Sequence, residues 1–254
     1  PGADPDLGEV SVVRVDGDPL DPDAYGILVG SLAAIGSDGI TLNAGPGGEI
    51  VFTTTADGIH FHGAVTLASD ARIDTTDAGA ATEGADILID GTIDGTSGDP
   101  AENLTLISHN GSITVTGTIG GSVPLGTLSL QDDEPESTGS AVFQSAVHVT
   151  ALETFGQPYA VEFLGGGSVT EAVEFLNTGG VTLGDTVDDQ FTFGNGVTSV
   201  ESETSIGGTI RTLNANIDFA NTRVLADARL FTAGGDITFE GTVDSEEAEQ
   251  NILE

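Results

Sequence analysis

The sequence predicts an all-β protein in which short strands stack as a parallel β-solenoid. Three observations support this prediction. Many short segments alternate apolar and polar residues, one long sequence unit is repeated, and aromatic residues are only 5% of the chain. Alternating segments are typical of half-buried strands. Self-similarity at a fixed spacing is typical of repeat architectures. We find no long stretch with a helical period and helix caps, so we expect almost no helix.

The repeat is clearest in two short, similar segments of the sequence. GADILIDGTIDG spans residues 84–95, and GGDITFEGTVDS spans residues 234–245. Upstream of these segments, residues 50–75 match residues 209–232 at an offset of about 158 positions. The chain therefore holds about one and a half copies of one long unit.

The matching residues are of types found in cores and turns. Ile59 and Phe61 match Ile217 and Phe219, Leu67 matches Leu225, and the tripeptide DAR at 70–72 recurs at 227–229. Successive side chains of a strand point to opposite faces, so alternate positions share one face. We predict that these residues point into one continuous core: Ile87, Ile89, Ile93, Ile237, Phe239 and Val243.

The domain organisation follows from where the pattern begins. Residues 1–36 contain several Pro and Asp and do not match the repeat, so we interpret them as an N-terminal junction or an irregular first coil. Residues 37–254 are predicted to form the solenoid, built from the unit of about 158 residues. Tandem immunoglobulin-like β-sandwich domains are the alternative, but such a domain has only about 100 residues.

Charge and composition exclude several classes of function. The chain has 41 acidic and 5 basic residues and a formal net charge of −36. Nucleic-acid binding and attraction to anionic membranes both need clustered Lys and Arg, so we expect neither partner. No apolar stretch is long enough to span a bilayer, so we expect no membrane insertion. Cysteine is absent, which excludes disulfides and thiol chemistry.

Several phrases of the sequence resemble the coils of giant bacterial exoproteins. GDITFEGTVD, GSITVTGTIGG and PLGTLSL are similar to repeats of filamentous-haemagglutinin-like and autotransporter-like β-helical adhesins. The resemblance covers most of the chain from about residue 38 onward and includes no catalytic motif. It implies a right-handed parallel β-helix that is secreted to the extracellular space or the bacterial outer cell surface.

The resemblance also implies a role and a set of partners. The role is structural or adhesive, as a stalk, an adhesin or a fibre of a biofilm matrix. The partners are neighbouring repeats of the same chain, like molecules in a fibre, and a cell-surface or matrix glycan. No organic cofactor is implied.

Four aspartates near the N-terminus are the candidate metal ligands. Asp16, Asp18, Asp21 and Asp23 lie close together in VDGDPLDPD. Carboxylate oxygens at this density suit Ca²⁺, although the spacing is not that of an EF-hand. A solvated acidic loop that holds no ion is the alternative.

Two histidines form a second candidate pair. His60 and His62 lie two apart in a predicted strand, so both rings project from one face, as two metal ligands would. No third ligand can be identified from the sequence. The equivalent residues of the second copy are Asp218 and Ala220, so the fold does not require histidine at these positions. We therefore interpret the histidines as an outward pair without a function.

The remaining charged motifs have structural interpretations. Arg72 and Arg229 each follow an aspartate by two residues, and we expect each guanidinium to bridge carboxylates of successive coils. Asp132–Asp133 and Asp188–Asp189 are the carboxylate pairs that a β-helical polysaccharide hydrolase would need. The first pair lies in QDDEPES, which is typical of a charged turn. We predict a non-catalytic structural or adhesive segment, with a polysaccharide-active β-helix enzyme as the alternative.

Overall fold

The computed structural model describes residues 24–29, 32–35, 39–45, 47–76, 79, 83–96, 101–133, 137–245 and 251–254. These residues form 25 strands and no helix. The fold is an all-β parallel β-solenoid of about 8 turns. The predicted fold class is confirmed.

The strands are short, and most have three to six residues. The first third of the described chain contains Ala24–Val29 (β1), Leu32–Ile35 (β2), Ile40–Leu42 (β3), Glu49–Thr54 (β4), Ile59–His62 (β5), Val65–Leu67 (β6), Asp70–Asp74 (β7), Ile87–Ile89 (β8) and Ile93–Gly95 (β9). The middle contains Leu104–Ile107 (β10), Ser112–Val115 (β11), Leu125–Leu130 (β12), Ser140–Phe143 (β13), Val147–Thr154 (β14), Ala160–Phe163 (β15), Gly167–Val169 (β16) and Val173–Glu174 (β17). The last part contains Val181–Leu183 (β18), Gln190–Phe193 (β19), Val197–Ser199 (β20), Thr204–Thr212 (β21), Ile217–Phe219 (β22), Thr222–Phe231 (β23), Ile237–Phe239 (β24) and Val243–Ser245 (β25).

Each strand pairs in parallel with its counterpart on the next coil. One face of the solenoid stacks β2, β5, β8, β11, β13, β15, β18, β21, β23 and β25 in that order. A second face begins with β1, β4, β7, β10, β12 and β14. About 8 turns stacked at about 4.8 Å give a rod about 40 Å long.

The alternation in the sequence explains why these segments become strands. In β5 the apolar Ile59 and Phe61 are buried and the histidines face outward, and in β8 Ile87 and Ile89 are buried while Leu88 faces outward. Stacking places like on like, and Phe143 lies on Phe163 with ring centroids 4.9 Å apart. The buried apolar side chains form one cluster that extends from Ile40 to Leu230. Burial of this continuous apolar column is the main stabilising term of the fold.

The core prediction is confirmed for the first copy and partly wrong for the second. Ile87, Ile89 and Ile93 are at most 1% exposed. Phe239 is half-buried and packs against the core, but Ile237 and Val243 are each 42% exposed.

The reason for this exposure is the position of the last two strands in the stack. Ile237 and Val243 keep the predicted register, since they pair with Ile217 and Thr222. Their strands, β24 and β25, each pair with one neighbouring strand in the described part of the chain. Ile237 and Val243 therefore pack against the preceding coil on one side, and their other side is exposed.

The structure also corrects one match between the copies. Leu67 pairs with Gly95 and Val224 pairs with Ser245, so the structural counterpart of Leu67 is Val224 and not Leu225. Leu67 and Val224 are both buried, whereas Leu225 is half-buried on the other face. A shift of one residue in a strand reverses its faces, so the Leu–Leu identity is misleading.

Candidate functional site

The four aspartates predicted to bind calcium lie outside the described residues. Asp16, Asp18, Asp21 and Asp23 all precede residue 24, where the description begins. The calcium site therefore stays a prediction.

The two histidines project from strand β5 as the alternation predicts. Ile59 and Phe61 are each 1% exposed and hold the strand against the core. This orientation forces the intervening His60 and the following His62 to the outer surface. Their side chains are 28% and 40% exposed, so both imidazoles are accessible to an ion in solution.

The structure supplies a third residue that the sequence did not indicate. Asp90 follows β8, the strand that stacks on β5 in the next coil. Its N–H donates to the carbonyl of Phe61 at 3.0 Å, and its own carbonyl accepts from the Thr116 hydroxyl at 2.7 Å. Backbone contacts to the coil on each side therefore hold Asp90 in place.

The three side chains converge on one point. Asp90 Oδ2 lies 2.7 Å from His60 Nε2 and 3.1 Å from His62 Nδ1. The two imidazole rings pack against each other, with centroids 3.4 Å apart and planes inclined at 42°. Each residue offers one ligand atom, and these atoms lie within 4.8 Å of one another. We refer to His60, His62 and Asp90 as the His–His–Asp cluster.

Glycines next to the cluster keep its backbone in close register. Gly91 directly follows Asp90, and a Cβ atom at Gly91 would lie 2.0 Å from the carbonyl oxygen of Gly63. Gly63 itself follows His62 and has a φ of 118°, a conformation that favours glycine. Two coils thus approach each other at this turn more closely than side chains would permit. The carboxylate is positioned by the fold and not by a flexible loop.

The donor set defines which chemistry the cluster can support. Two imidazole nitrogens with one carboxylate oxygen are typical ligands of zinc and related transition metals. Calcium and magnesium prefer a shell composed of oxygen atoms. Among the described residues, this is the one group of three or more His, Asp or Glu side chains close enough to share an ion.

Two of the four carboxylates considered for catalysis have structural contacts. Asp132 Oδ1 lies 3.2 Å from Nε2 of His109, a histidine whose side chain is 2% exposed. Asp189 Oδ2 accepts from the N–H groups of Asp185 and Thr186 and from the Thr186 hydroxyl, which closes a tight turn. Asp188 is exposed in the same turn.

The tyrosine near Asp132 is a buried structural group. The Tyr159 hydroxyl donates to the carbonyl of Leu130 at 3.0 Å and accepts from the N–H of Phe155 at 2.8 Å. Burial raises the pKa of Tyr159 to about 12, because the phenolate would lose its hydration. The phenol therefore stays neutral and ties two coils together.

The two arginines differ from each other. Arg229 forms an ion pair with Glu254, which lies on the next coil. The predicted link between coils is therefore found there, but through one carboxylate and not as a bridge between two. Arg72 instead pairs at 2.8 Å with Asp74 of its own strand, and the predicted bridge between coils is wrong there. Residues two apart on a strand share a face. That neighbour, whose side chain is only 1% exposed, competes for the guanidinium.

The aspartates of the DAR tripeptides do link successive coils. Asp70 Oδ1 accepts from the N–H of Asn103 at 2.8 Å, and Asp227 Oδ1 accepts from the N–H of Ile252 at 2.9 Å. Both contacts join a strand to the strand that follows it in the stack. The recurrent aspartate is thus a connector of coils.

Comparisons with known proteins assign no family to this chain. No protein-family model matches it, and no curated protein or solved structure gives a significant match. Within the residues that the structure describes, no helix is long and apolar enough to cross a membrane.

Proposed function

We propose that this chain is a non-catalytic, rod-forming segment of a large secreted or cell-surface bacterial repeat protein, with a structural or adhesive role. The observation that carries the proposal is the uninterrupted parallel stack. Its strands contribute inward apolar residues to one column, and the residues between them form the outer surface of the rod. A stack of this kind supports extension and spacing, because each coil is held by its neighbours.

The outer surface of the second face supports an adhesive role. Thr105, Ser129 and Glu153 lie on successive coils in direct register, and the Ser129 hydroxyl donates to Glu153 at 2.8 Å. The same groove contains Asn103 and Thr127. Hydroxyl, amide and carboxylate groups repeated at about 4.8 Å can hydrogen-bond a sugar chain lying along the rod. The occupant we propose is a neutral glycan of the cell surface or matrix.

An activity assay tests the non-catalytic part of this proposal. The purified chain is incubated with acidic and neutral polysaccharides, and new reducing ends and unsaturated products are measured. We expect none above the level of a heat-denatured control. Turnover that disappears in Asp132→Asn or Asp188→Asn would establish the alternative, a polysaccharide-active enzyme.

A binding assay tests the adhesive part. Retention of the labelled chain on immobilised neutral glycans is compared with retention of Ser129→Tyr, which fills the groove from an outward position. We expect Ser129→Tyr to lose binding while its melting temperature is unchanged. Equal retention of the two proteins would remove the groove from the proposal and leave the structural role.

We further propose that cations stabilise the rod, through general screening together with weak calcium capture. A net charge of −36 on stacked coils repels itself. Like charges about 4.8 Å apart cost about 1 kcal/mol per pair in bulk water. We expect both sodium chloride and calcium chloride to raise the melting temperature above its value in chelator.

The two salts separate screening from capture. If Asp16, Asp18, Asp21 and Asp23 hold calcium, millimolar CaCl₂ acts where NaCl of equal ionic strength does not, and Asp16→Asn with Asp18→Asn removes the difference. A melting temperature that neither salt raises would contradict the whole proposal about cations.

A further inference from the structure

We propose that His60, His62 and Asp90 bind one divalent transition-metal ion, for which Zn²⁺ is the physiological candidate. The site lies on the outer surface of the rod and joins two successive coils. It uses other residues and another donor chemistry than the predicted calcium site, and it shares no residue with the glycan groove. The inference does not depend on the proposed function.

The geometry requires little adjustment to accept an ion. A tetrahedral zinc site has metal–ligand distances of about 2.0–2.1 Å, which places ligand atoms about 3.3 Å apart. Asp90 Oδ2 is 2.7 Å from His60 Nε2 and 3.1 Å from His62 Nδ1. These two gaps must open by about 0.6 Å and 0.2 Å, and the two histidine nitrogens, which lie within 4.8 Å of each other, must come to the same spacing. Side-chain rotation supplies adjustments of this size. Three protein ligands leave a fourth position for water, as in open zinc sites.

The negative charge of the chain favours a cation at the cluster. Lysine is absent from the chain, and the net charge is −36, so the surface potential concentrates divalent ions near the rod. Imidazole then selects among them, because nitrogen ligands prefer zinc, nickel and copper to calcium or magnesium. Selectivity for these metals in the presence of excess calcium is the signature that distinguishes the cluster from the many carboxylates.

The ion would act as a clasp between coils. His60 and His62 belong to β5, whereas Asp90 follows β8, and the chain between them includes one full turn of the solenoid. An ion that binds only when the coils are stacked stabilises the folded state by mass action. We expect Zn²⁺ at about one hundred times its dissociation constant to raise the melting temperature by about 5 °C.

The test is calorimetric titration of the full chain with ZnCl₂, in 0.15 M NaCl and excess CaCl₂ that occupies the diffuse carboxylate sites. We expect one saturable ion per chain. His60→Ala, His62→Ala and Asp90→Asn should each weaken binding by at least about tenfold, the loss that even outer partners of metal ligands cause. His148→Ala is the matched control, because His148 also projects outward from a strand, and its ring hydrogen-bonds Ser168 and is not part of the cluster.

Two measurements keep the test decisive. Circular dichroism in chelator checks that each variant is folded, and His60→Gln with His62→Gln replaces any alanine variant that is not. Imidazole ¹⁵N spectra of the unaltered chain should shift for His60 and His62 on addition of Zn²⁺, and not for His109 or His148. Absence of saturable binding, or binding that the cluster variants leave unchanged, would overturn the proposal.

Discussion

The two copies of the repeat build the same core and present different surfaces. In the first copy Ile59 and Phe61 stack beneath Ile87 and Ile89. In the second copy Ile217 and Phe219 stack beneath Ile237 and Phe239 in the same register. Four inward positions thus keep their apolar character across about 150 residues.

The outward positions between these core residues have diverged. The counterparts of His60, His62 and Asp90 are Asp218, Ala220 and Glu240. The backbone is equivalent at the two sites. The N–H of Glu240 donates to the carbonyl of Phe219 at 2.8 Å, just as the N–H of Asp90 donates to the carbonyl of Phe61 at 3.0 Å. The fold therefore does not require histidine there. Stacking therefore constrains the residue types of the core, whereas the residue types of the outer face can change without loss of the fold.

The largest effect that the comparison predicts concerns matched core residues. Ile87→Ala should cost about 2–5 kcal/mol of unfolding free energy, as expected for a large-to-small change at a fully buried position. Ile237→Ala should cost less than about 1.5 kcal/mol, because Ile237 is already 42% exposed. Urea denaturation of the two variants measures both values. Equal costs would show that the last coil is covered as completely as the first copy.

An intermediate effect should separate the two arginines. Arg72→Ala leaves the carboxylate of Asp74, which is 1% exposed, without its guanidinium and should cost about 1–3 kcal/mol. Arg229→Ala removes an ion pair whose side chains are 65% and 58% exposed and should cost at most about 1 kcal/mol. Thermal denaturation at low and high salt is the measurement. A larger loss for Arg229→Ala would mean that bridging between coils outweighs burial.

The smallest effect on stability, and the sharpest test of the comparison, is a graft of the site. Asp218→His with Ala220→His places two imidazoles on the second copy beside Glu240, and neither position lies in the core. We expect almost no change in unfolding free energy and a rise from one to two zinc ions per chain in calorimetry. If Glu240 is too long to reach, Glu240→Asp restores the second ion. A grafted chain with all three changes that still binds one ion would show that register alone does not create the site.

Much of the fold could be predicted because its signals are local. The period of two residues in IHF and ITF identifies strands and assigns their faces without reference to any other part of the chain. The repeat then indicates stacking. The match failed at Leu225, where an identical residue type lies one position out of register and on the other face.

The candidate site could be predicted only in part. The histidine pair was visible, since both residues lie on one strand, but the third ligand belongs to another coil. Residues 59 and 87 are stacked partners 28 positions apart, whereas residues 217 and 237 are partners 20 positions apart. The number of residues in each coil determines which carboxylate lies beside which histidine. The alternation within single strands does not indicate that number.

The all-β class, the acidic character and most of the inward and outward faces follow from the amino-acid sequence alone, with Leu225 as an exception. Each of these depends on composition or on neighbours along one strand. Three features became known only from the tertiary structure. Asp90 lies against His60 and His62, Arg72 pairs within its own strand, and Ile237 is partly exposed. These contacts depend on stacking, which joins residues 18 to 33 positions apart, as the pairs Thr204–Thr222 and Ala71–Leu104 show. The free energy of such a contact depends on the register of whole coils, which becomes definite only when the core closes.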